Sequence, residues 1–273
     1  MFVQQAIAIL DSGVGGLTVV KEVMRQLPRE KIIYFGDTAR TPYGPRTSEE
    51  VRRFTEQIVD FLAQFNPKAI VIACNTATAA ALDYISEKVS IPVIGVIHPG
   101  ARAAISATKT GNIGVIGTIG TIGSGAYTAA LQQLSPYVHV VSEACPALVP
   151  LVEQGQFRSE ETTAVVEDSL RGMRNSSIDC LILGCTHYPF LKDTIQAVIG
   201  EKVKLISSAD ETAREVSTIL YDKGQLASGN ESPVHQFFCS GDADMFQRIA
   251  KTWLGEQIQR TPVVWQVSRF VET

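Results

Sequence analysis

The sequence predicts an α/β protein made of two pseudo-symmetric, doubly wound domains with mainly parallel central sheets and an active site in the cleft between the domains. Short apolar runs alternate with longer helical patterns along the chain, which is the signature of βαβ units. Two of these runs, 69–73 and 180–184, are apolar without alternation, as expected for parallel strands covered on both faces. A cysteine follows each run, so both thiols are expected at the carboxyl ends of strands, where open α/β sheets bind ligands.

The individual elements follow from apolar runs, capping residues and turn residues. Thr47 or Ser48, with Glu50 nearby, begins the second helix. Strands are predicted at 6–10, 31–36, 69–73, 92–97, 112–118, 138–142, 180–184, 203–206, 234–239 and 262–266. Helices are predicted at 16–26, 47–65, 76–88, 99–108, directly after the turn 118–125, and at 146–154, 159–174, 209–223 and 242–253. Residues 224–233 are predicted to be an exposed loop.

The chain also repeats its own pattern. The turn IAILDSG around Asp11 resembles IGVIGTIG around Gly117, which aligns Ser12 with Thr118. The two cysteines recur in the same order at a similar offset, so we predict two equivalent halves whose strand ends converge. The predicted domains are residues 1–97 with 209–273, which hold Cys74, and residues 98–208, which hold Cys185.

Composition limits the class of protein. The chain has 273 residues, of which 45% are hydrophobic and 19% charged, and its formal net charge is −4. This mild acidity gives no reason to expect nucleic acid, which needs a basic face, and no apolar run reaches the ~20 residues of a membrane span. The five cysteines form no CxxC pair, and the N-terminus resembles a first strand rather than a signal peptide. We expect a cytoplasmic protein in a reducing compartment.

Cys74 and Cys185 differ from the other cysteines. A lone cysteine after an apolar strand is most often inert packing, and this interpretation applies to Cys145, Cys180 and Cys239. Cys74 and Cys185 instead stand where a strand gives way to a polar turn. A helix N-terminus at such a place lowers the pKa of a thiol toward neutrality. Two thiols that flank one pocket, one deprotonated and one protonated, can take a proton from one face of a carbon and return one on the other. Such a pair inverts a stereocentre without a cofactor.

Three polar residues could tune these thiols. Asp11 ends the first strand, next to the Cys74 strand in a doubly wound sheet, although it could equally be a helix N-cap. His187 follows Cys185 by two residues and either serves that thiol or makes a structural hydrogen bond. Glu153 ends a helix, and taken alone it is expected to be a surface carboxylate.

Cofactor motifs are weak or missing in the sequence. The turn DSGVGG lacks the GxGxxG spacing of a dinucleotide site, and TIGTIGSG lacks the GK[ST] of a Walker loop. No metal-ligand spacing, pyridoxal lysine motif or flavin site is evident, so we expect no cofactor and no metal. Both turns instead supply hydroxyls and backbone N–H groups suited to carboxylates.

Six motifs carry a family resemblance: DSGVGGLTV, YFGDTARTPYG, ACNTATA, GVIGTIGTI, LVPLVEQG and LGCTHYP, in this order. Together they closely resemble the glutamate racemases of bacteria, which belong to the cofactor-independent aspartate/glutamate racemase superfamily. The resemblance implies a two-domain α/β isomerase that interconverts L- and D-glutamate by a 1,1-proton transfer. It also implies a supply of D-glutamate for peptidoglycan synthesis, hence for cell wall biogenesis and cell shape, and a homodimer.

The resemblance further implies roles for residues at matching positions. Cys74 and Cys185 resemble the two catalytic bases, which act on opposite faces of Cα. Asp11, Glu153 and His187 resemble groups that tune the acid–base chemistry. The substrate-binding positions are Asp11, Ser12, Tyr43, Gly44, Asn75, Thr76, Thr118, Thr121, Thr186 and His187.

Three alternative functions stay open at this level. Aspartate or another amino acid could be the substrate, because the length of the substrate side chain is not readable from a sequence. A cysteine hydrolase could use a Cys185–His187 pair, but this leaves Cys74 unexplained, and Cys-x-His on adjacent turn residues is expected to give poor dyad geometry. A non-catalytic ligand-binding module would not need two matched thiols.

Overall fold

The computed structural model describes residues 4–228, 232–255, 257–258 and 263–268. Its strands are β1 (Ile7–Asp11), β2 (Ile32–Gly36), β3 (Ala69–Ile72), β4 (Val93–Gly95), β5 (Asn112–Gly117), β6 (His139–Ala144), β7 (Cys180–Gly184), β8 (Lys204–Ile206), β9 (His235–Cys239) and β10 (Val263–Val267). Its α-helices are α1 (Leu17–Gln26), α2 (Ser48–Ala63), α3 (Asn75–Lys88), α4 (Ile97–Ala107), α5 (Ile119–Gly123), α6 (Ala126–Leu134), α7 (Leu148–Glu153), α8 (Glu160–Ser169), α9 (Arg171–Arg174), α10 (Lys192–Ile199), α11 (Ser208–Asp222) and α12 (Ala243–Leu254). None of the helices in these ranges is long and apolar enough to cross a membrane.

The strands form two sheets. The first runs in the order β10-β9-β2-β1-β3-β4, and the second in the order β6-β5-β7-β8. Every strand pair within the described ranges is parallel. All residues of β1, β2, β3 and β7 are buried, which explains why these runs are apolar without alternation. The predicted α/β fold with parallel sheets is confirmed.

The internal repeat is visible in the strand order and in the register. The segment β2-β1-β3-β4 of the first sheet has the same order as β6-β5-β7-β8. Asp11 ends β1 beside the end of β3, and Gly117 ends β5 beside the end of β7. Cys74 and Cys185 therefore follow the third strand of their own repeat, and the predicted pseudo-symmetry is confirmed.

Two predicted helices differ from the structure in detail. The predicted helix 159–174 is two helices, α8 and α9, because the buried Leu170 between them has left the helical region at φ −104° and ψ 11°. Helix α4 begins at Ile97 instead of near residue 99, since Pro99 is tolerated in the first turn, where its missing N–H has no intrahelical partner. Gly125, at φ +67°, separates α5 from α6 after the threonine-rich turn.

Two helical stretches are absent from the prediction: α5, which lies within the predicted turn 118–125, and the segment after β7. A 3-10 helix at Tyr188–Leu191 leads into α10, where the sequence pattern predicts no helix between the Cys185 strand and β8. Pro189 lies in the first turn of that segment, a position that proline favours. The predicted loop 224–233 lies outside the described residues at 229–231, and the predicted last strand is described from Val263 onward.

The largest hydrophobic cluster joins the half built on the first sheet to the half built on the second. It contains Ile9 of the first sheet, Ile116 and Leu183 of the second, and Val216 of α11. Two smaller clusters each belong to one half. The chain passes between the halves at α4 and at α11, which pack on each other. The domain boundaries predicted at 97/98 and 208/209 fall at these crossings and stay a prediction.

Candidate active site

A small, largely enclosed cavity lies between the halves, at the carboxyl ends of β1, β3, β5 and β7. Its volume is about 10 Å³, which is room for roughly one water. The residues that line it come from both sheets and from the loop after β2: Ser12, Pro42, Tyr43, Gly44, Cys74, Asn75, Thr76, Thr118, Val149, Cys185, Thr186 and His187.

Cys74 is the N-cap of α3 and is only 5% exposed. Its Sγ accepts the backbone N–H of Ala77 at 3.4 Å, the helix N-terminal contact that the sequence predicts. Burial first, and then the Asp11 carboxylate, raise the pKa of Cys74 to about 12, although hydrogen bonds from Ala77 and Ser12 oppose the shift. The expected lowering toward neutrality is therefore wrong for this thiol in the closed cavity, because burial outweighs the helix terminus.

A relay of three side chains begins at Cys185, directly after β7. Its Sγ lies 3.6 Å from Nδ1 of His187, and Nε2 of the same ring lies 2.5 Å from Oε1 of Glu153. Burial alone would lower the pKa of His187, but the contacts with Cys185 and Glu153 raise it well above its usual value. The raised pKa favours the imidazolium form, which can donate one N–H to the sulfur and the other to the carboxylate.

Two expectations about this relay are wrong. Glu153 is not a surface carboxylate: its side chain is 16% exposed, and Oε1 also accepts the backbone N–H of Val14 at 3.0 Å. Cys185 and His187 were expected to have poor dyad geometry, but their side chains lie close enough to interact. A backbone hydrogen bond from Tyr188 N to Cys185 O closes a turn that brings the ring back to the sulfur.

Asp11 is fully buried at the end of β1. Its Oδ2 accepts the hydroxyl of Thr186 at 3.0 Å, and its Oδ1 accepts the backbone N–H of Gly13 at 3.0 Å. Burial raises the pKa of Asp11 to about 6, although the charge on His187 and these hydrogen bonds oppose the shift. The N-cap of α1 is Gly16, so the alternative assignment of Asp11 as that N-cap is wrong.

Hydroxyl groups from both halves meet on one wall of the cavity. The Oγ1 atom of Thr76 lies 2.8 Å from that of Thr118 and 3.1 Å from that of Thr121, and Thr118 donates to Thr121 at 3.0 Å. Beside them, Oδ1 of Asn75 accepts the hydroxyl of Tyr127 at 2.7 Å. The Nδ2 group of Asn75 is buried and has no hydrogen-bond partner within the described part of the chain. This wall offers an amide N–H and several hydroxyls to an anion.

A buried carboxylate holds the loop after β2 in place. Asp37 is fully buried and accepts hydrogen bonds from Arg40 Nε at 2.6 Å, from Ser240 Oγ at 2.7 Å and from the hydroxyl of Tyr43. These bonds fix Tyr43 in the cavity wall. Asp37 is not among the predicted site residues. Its place at the carboxyl end of β2, next to β1, is the signal that could have found it.

Two glycines allow the halves to come into contact beside the cavity. The backbone N–H of Gly120 donates to the carbonyl of Gly44 at 2.9 Å. A Cβ on Gly44 would lie 2.7 Å from Cβ of Thr118, and a Cβ on Gly120 would lie 3.0 Å from the carbonyl oxygen of Gly44. A side chain on Gly44 would force Thr118 to shift, and one on Gly120 would push the Gly44 carbonyl away by a few tenths of an ångström, so this close backbone contact favours glycine at both positions.

The structure brings the predicted site residues together, with three of them behind the cavity wall. Asp11, Glu153 and Thr121 do not line the cavity but contact residues that do. Pro42 and Val149 line it and were not predicted, because apolar side chains give no chemical signal in a sequence. Within the ranges that the structure describes, no three His, Cys, Asp or Glu side chains are grouped so that they could hold a metal ion.

Comparisons with known proteins give the class to which this fold and site belong. The profile of the family described as Asp/Glu/Hydantoin racemase matches residues 11–216. The chain belongs to this family of racemases, and the prediction that it is an isomerase is confirmed.

Within the family, the similar proteins include several glutamate racemases. That of Bacillus cereus is 53% identical over 97% of this chain and 98% of its own. The crystal structure of glutamate racemase isoform RacE1 from Bacillus anthracis is 53% identical, covers 96% of this chain and 97% of its own, and has a TM-score of 0.91. The glutamate racemase of Francisella tularensis, solved in complex with D-glutamate, is 33% identical with a TM-score of 0.87 and covers 98% of both chains. The predicted resemblance to bacterial glutamate racemases is confirmed.

Proposed function

We propose that the protein interconverts L- and D-glutamate without a cofactor and uses Cys74 and Cys185 as its two bases. The observation that carries the proposal is the pair of buried thiols at equivalent strand ends in the wall of one cavity. One base can remove the α-proton, but a second group on the other side is needed to return a proton with inversion. The similarity to glutamate racemases supports glutamate as the substrate.

The reaction transfers one proton off Cα and another proton onto it. A thiolate on one side takes the α-hydrogen as a proton and leaves the electron pair on Cα, delocalised into the α-carboxylate. The thiol on the other side then protonates Cα from the opposite face. The first sulfur ends as a thiol and the second as a thiolate, which is the state that begins the reverse reaction.

The two thiols have different neighbours. The raised pKa of Cys74 keeps this thiol protonated in the closed cavity, as a proton donor requires. When the same sulfur acts as the base, the ammonium group of the bound amino acid offsets the field of Asp11, which opposes the thiolate. Cys185 instead faces the N–H of His187, which Glu153 orients from the other side.

The donors of the cavity suit an amino acid with two carboxylates. The unpaired N–H of Asn75, the hydroxyl of Thr76 and the hydroxyl of Thr186, once it turns from Asp11 to the substrate, stabilise the α-carboxylate as negative charge builds up during proton removal. Asp11 balances the ammonium group, and His187 adds positive charge. The remaining positions proposed to bind substrate are Ser12, Tyr43, Gly44, Thr118 and Thr121.

The cavity has to open for each turnover. Space for roughly one water cannot admit an amino acid. We propose that the halves separate at the α4 and α11 crossings and close again over the substrate. Closure excludes water and strengthens each electrostatic contact in the site.

The decisive experiment follows racemisation in deuterated water. The purified protein, without added cofactor, is incubated with L- or D-glutamate, and optical rotation and deuterium at Cα are measured. We expect racemisation and exchange from both isomers, and a loss of about 100-fold or more in Cys74→Ser and in Cys185→Ser. Cys239→Ser is the matched control, because this buried cysteine lies outside the cavity.

Three outcomes would contradict parts of the proposal. Full activity in either serine variant of the cavity would remove that thiol from the mechanism. Racemisation abolished by a carbonyl-trapping reagent would indicate pyridoxal phosphate. Aspartate carries the same groups on its α-carbon as glutamate. Equal turnover of aspartate would therefore contradict the proposed specificity for glutamate.

Three further proposals concern the cellular context. We propose that the D-glutamate enters peptidoglycan synthesis, that the protein works in the cytoplasm and that it is a homodimer. Depletion in a bacterial host should cause loss of cell shape that added D-glutamate reverses. Light scattering of the purified protein should give twice the mass of the chain, and the mass of a single chain would refute the dimer.

A further inference from the structure

Tyr127 lies outside the cavity but contacts a residue in its wall. It belongs to α6 in the second half, is 2% exposed, and donates its hydroxyl to Oδ1 of Asn75 at 2.7 Å. Asn75 begins α3 in the first half. This hydrogen bond therefore crosses from one half of the molecule to the other.

The ring of Tyr127 is wedged at the junction of the two halves. A Cβ on Gly184, the residue before Cys185, would lie 3.1 Å from Cε2 of the ring. A Cβ on Gly100 of α4 would lie 3.1 Å from the phenol oxygen and 3.1 Å from Cβ of Ser208, which begins α11. The phenol thus lies between the second cysteine strand and the two crossings, and these neighbours hold it in one orientation.

In the structure the Tyr127 hydroxyl donates to the acceptor end of the Asn75 amide and leaves the donor end unpaired. A side-chain amide has a donor end and an acceptor end. With Oδ1 occupied by Tyr127, Nδ2 is left buried and unpaired beside the cavity. A reversed amide would present an oxygen to the carboxylates of the substrate and would repel them. Burial also raises the pKa of Tyr127 well above its usual value, so the hydroxyl keeps its proton.

We infer that Tyr127 is a positioning residue that turns the Asn75 amide toward the substrate carboxylate and does so only when the halves are closed. The bond joins groups on opposite sides of the cleft, so it breaks when the cleft opens and the amide is then free to rotate. Closure therefore completes the donor set at the moment when the substrate is enclosed. This inference rests on the proposed function, in which Asn75 binds the α-carboxylate.

The test is Tyr127→Phe, which removes the hydroxyl and keeps the ring in its wedge. We expect KM to rise about fivefold to tenfold for both enantiomers, because Asn75 serves both, while kcat changes less than KM. Thr55→Val is the matched control: this threonine is fully buried in α2, outside the cavity, and its hydroxyl donates to the backbone carbonyl of Val51 at 2.7 Å. It should lose stability to urea like Tyr127→Phe and keep the KM of the unmodified protein.

A double-mutant cycle separates positioning from general loosening. If Tyr127 acts through the amide, adding Tyr127→Phe to Asn75→Ala should change KM by less than about twofold. The inference is overturned if Tyr127→Phe leaves KM unchanged, if Thr55→Val raises KM equally, or if the effects of Tyr127→Phe and Asn75→Ala on KM multiply independently. These outcomes require that the unmodified protein racemises glutamate. Absence of that activity would refute the proposed function itself.

Discussion

At the scale of single residues, the two thiols have equivalent places in the fold and different neighbours. The internal repeat aligns Asp11 with Gly117, so only the first half carries a carboxylate at that strand end. The second half has His187 instead, joined to Cys185 and paired with a glutamate from α7. A symmetric backbone therefore presents an asymmetric pair of acid–base groups, which suits two enantiomers that bring their proton from opposite sides.

Protonation of Asp11 should make kcat/KM fall at acidic pH. Its pKa is raised from 3.8 to about 6, so its carboxylate is charged above that pH and becomes protonated as the pH falls through it. A protonated Asp11 no longer balances the substrate ammonium, and kcat/KM for glutamate should therefore fall below about pH 6. The pH profile of kcat/KM reports groups of the free enzyme and is the measurement to make.

Asp11→Asn provides the control for this profile. The variant should have a lower kcat/KM at neutral pH and no inflection near pH 6. If kcat/KM of the variant still falls near pH 6, the titration of another group causes that fall. At the level of folding, the raised pKa means that burial of Asp11 costs nothing below its unfolded pKa and destabilises the protein as the pH rises through about 6.

At the scale of elements, the short helix α5 forms the contact that closes the cleft. Gly120 and Gly123 lie on this helix, but only Gly120 faces the other half. A Cβ on Gly120 would meet the Gly44 carbonyl at 3.0 Å and Cγ2 of Thr76 at 3.1 Å, whereas a Cβ on Gly123 would meet nothing within 4 Å. Gly120→Ala should hold the halves a few tenths of an ångström apart. It should raise KM because every hydrogen bond across the cleft becomes longer.

Gly123→Ala is the matched substitution on the same helix. It adds the same methyl group and the same helix propensity, so its KM should stay within about twofold of the unmodified protein. Steady-state kinetics with both enantiomers compares the two variants directly. Equal effects of the two alanines on KM would mean that a change in the stability of α5 causes them, and not the contact across the cleft.

Local patterns predicted most elements but could not show which side chains meet. Cys74 and Cys185 could be singled out because the apolar run and the polar turn around each are adjacent in the sequence. The burial of Glu153 could not be predicted, because its partner His187 lies 34 residues further along the chain. Tyr127 gave no signal for the same reason, since its contact with Asn75 spans 52 residues. The helix α10 was missed where a 3-10 turn obscures its start.

At the scale of the whole molecule, a shared core has to coexist with a cleft that opens. The largest hydrophobic cluster contains residues of both sheets, and burial of that apolar surface opposes full separation of the halves. Contacts across the cavity are mostly single hydrogen bonds, each worth about 1 kcal/mol. Opening should therefore be a limited hinge motion that breaks these polar contacts and keeps the shared core intact.

One backbone amide should report this motion. The N–H of Gly120 lies in the first turn of α5, where a helix supplies no internal acceptor, and its bond goes across the cleft to the carbonyl of Gly44. It can exchange with deuterium only when the halves separate. The N–H of Ile122 bonds to Thr118 within the same turn, so it senses local fraying and not opening.

Residue-resolved hydrogen exchange with and without saturating glutamate tests the hinge. We expect glutamate to slow exchange at Gly120 by about tenfold or more, because ligand that binds the closed state depopulates the open one, and to leave Ile122 nearly unchanged. Equal slowing at both amides would indicate that glutamate stabilises α5 locally. No slowing at Gly120 would contradict a hinge motion that breaks the bond between Gly120 and Gly44.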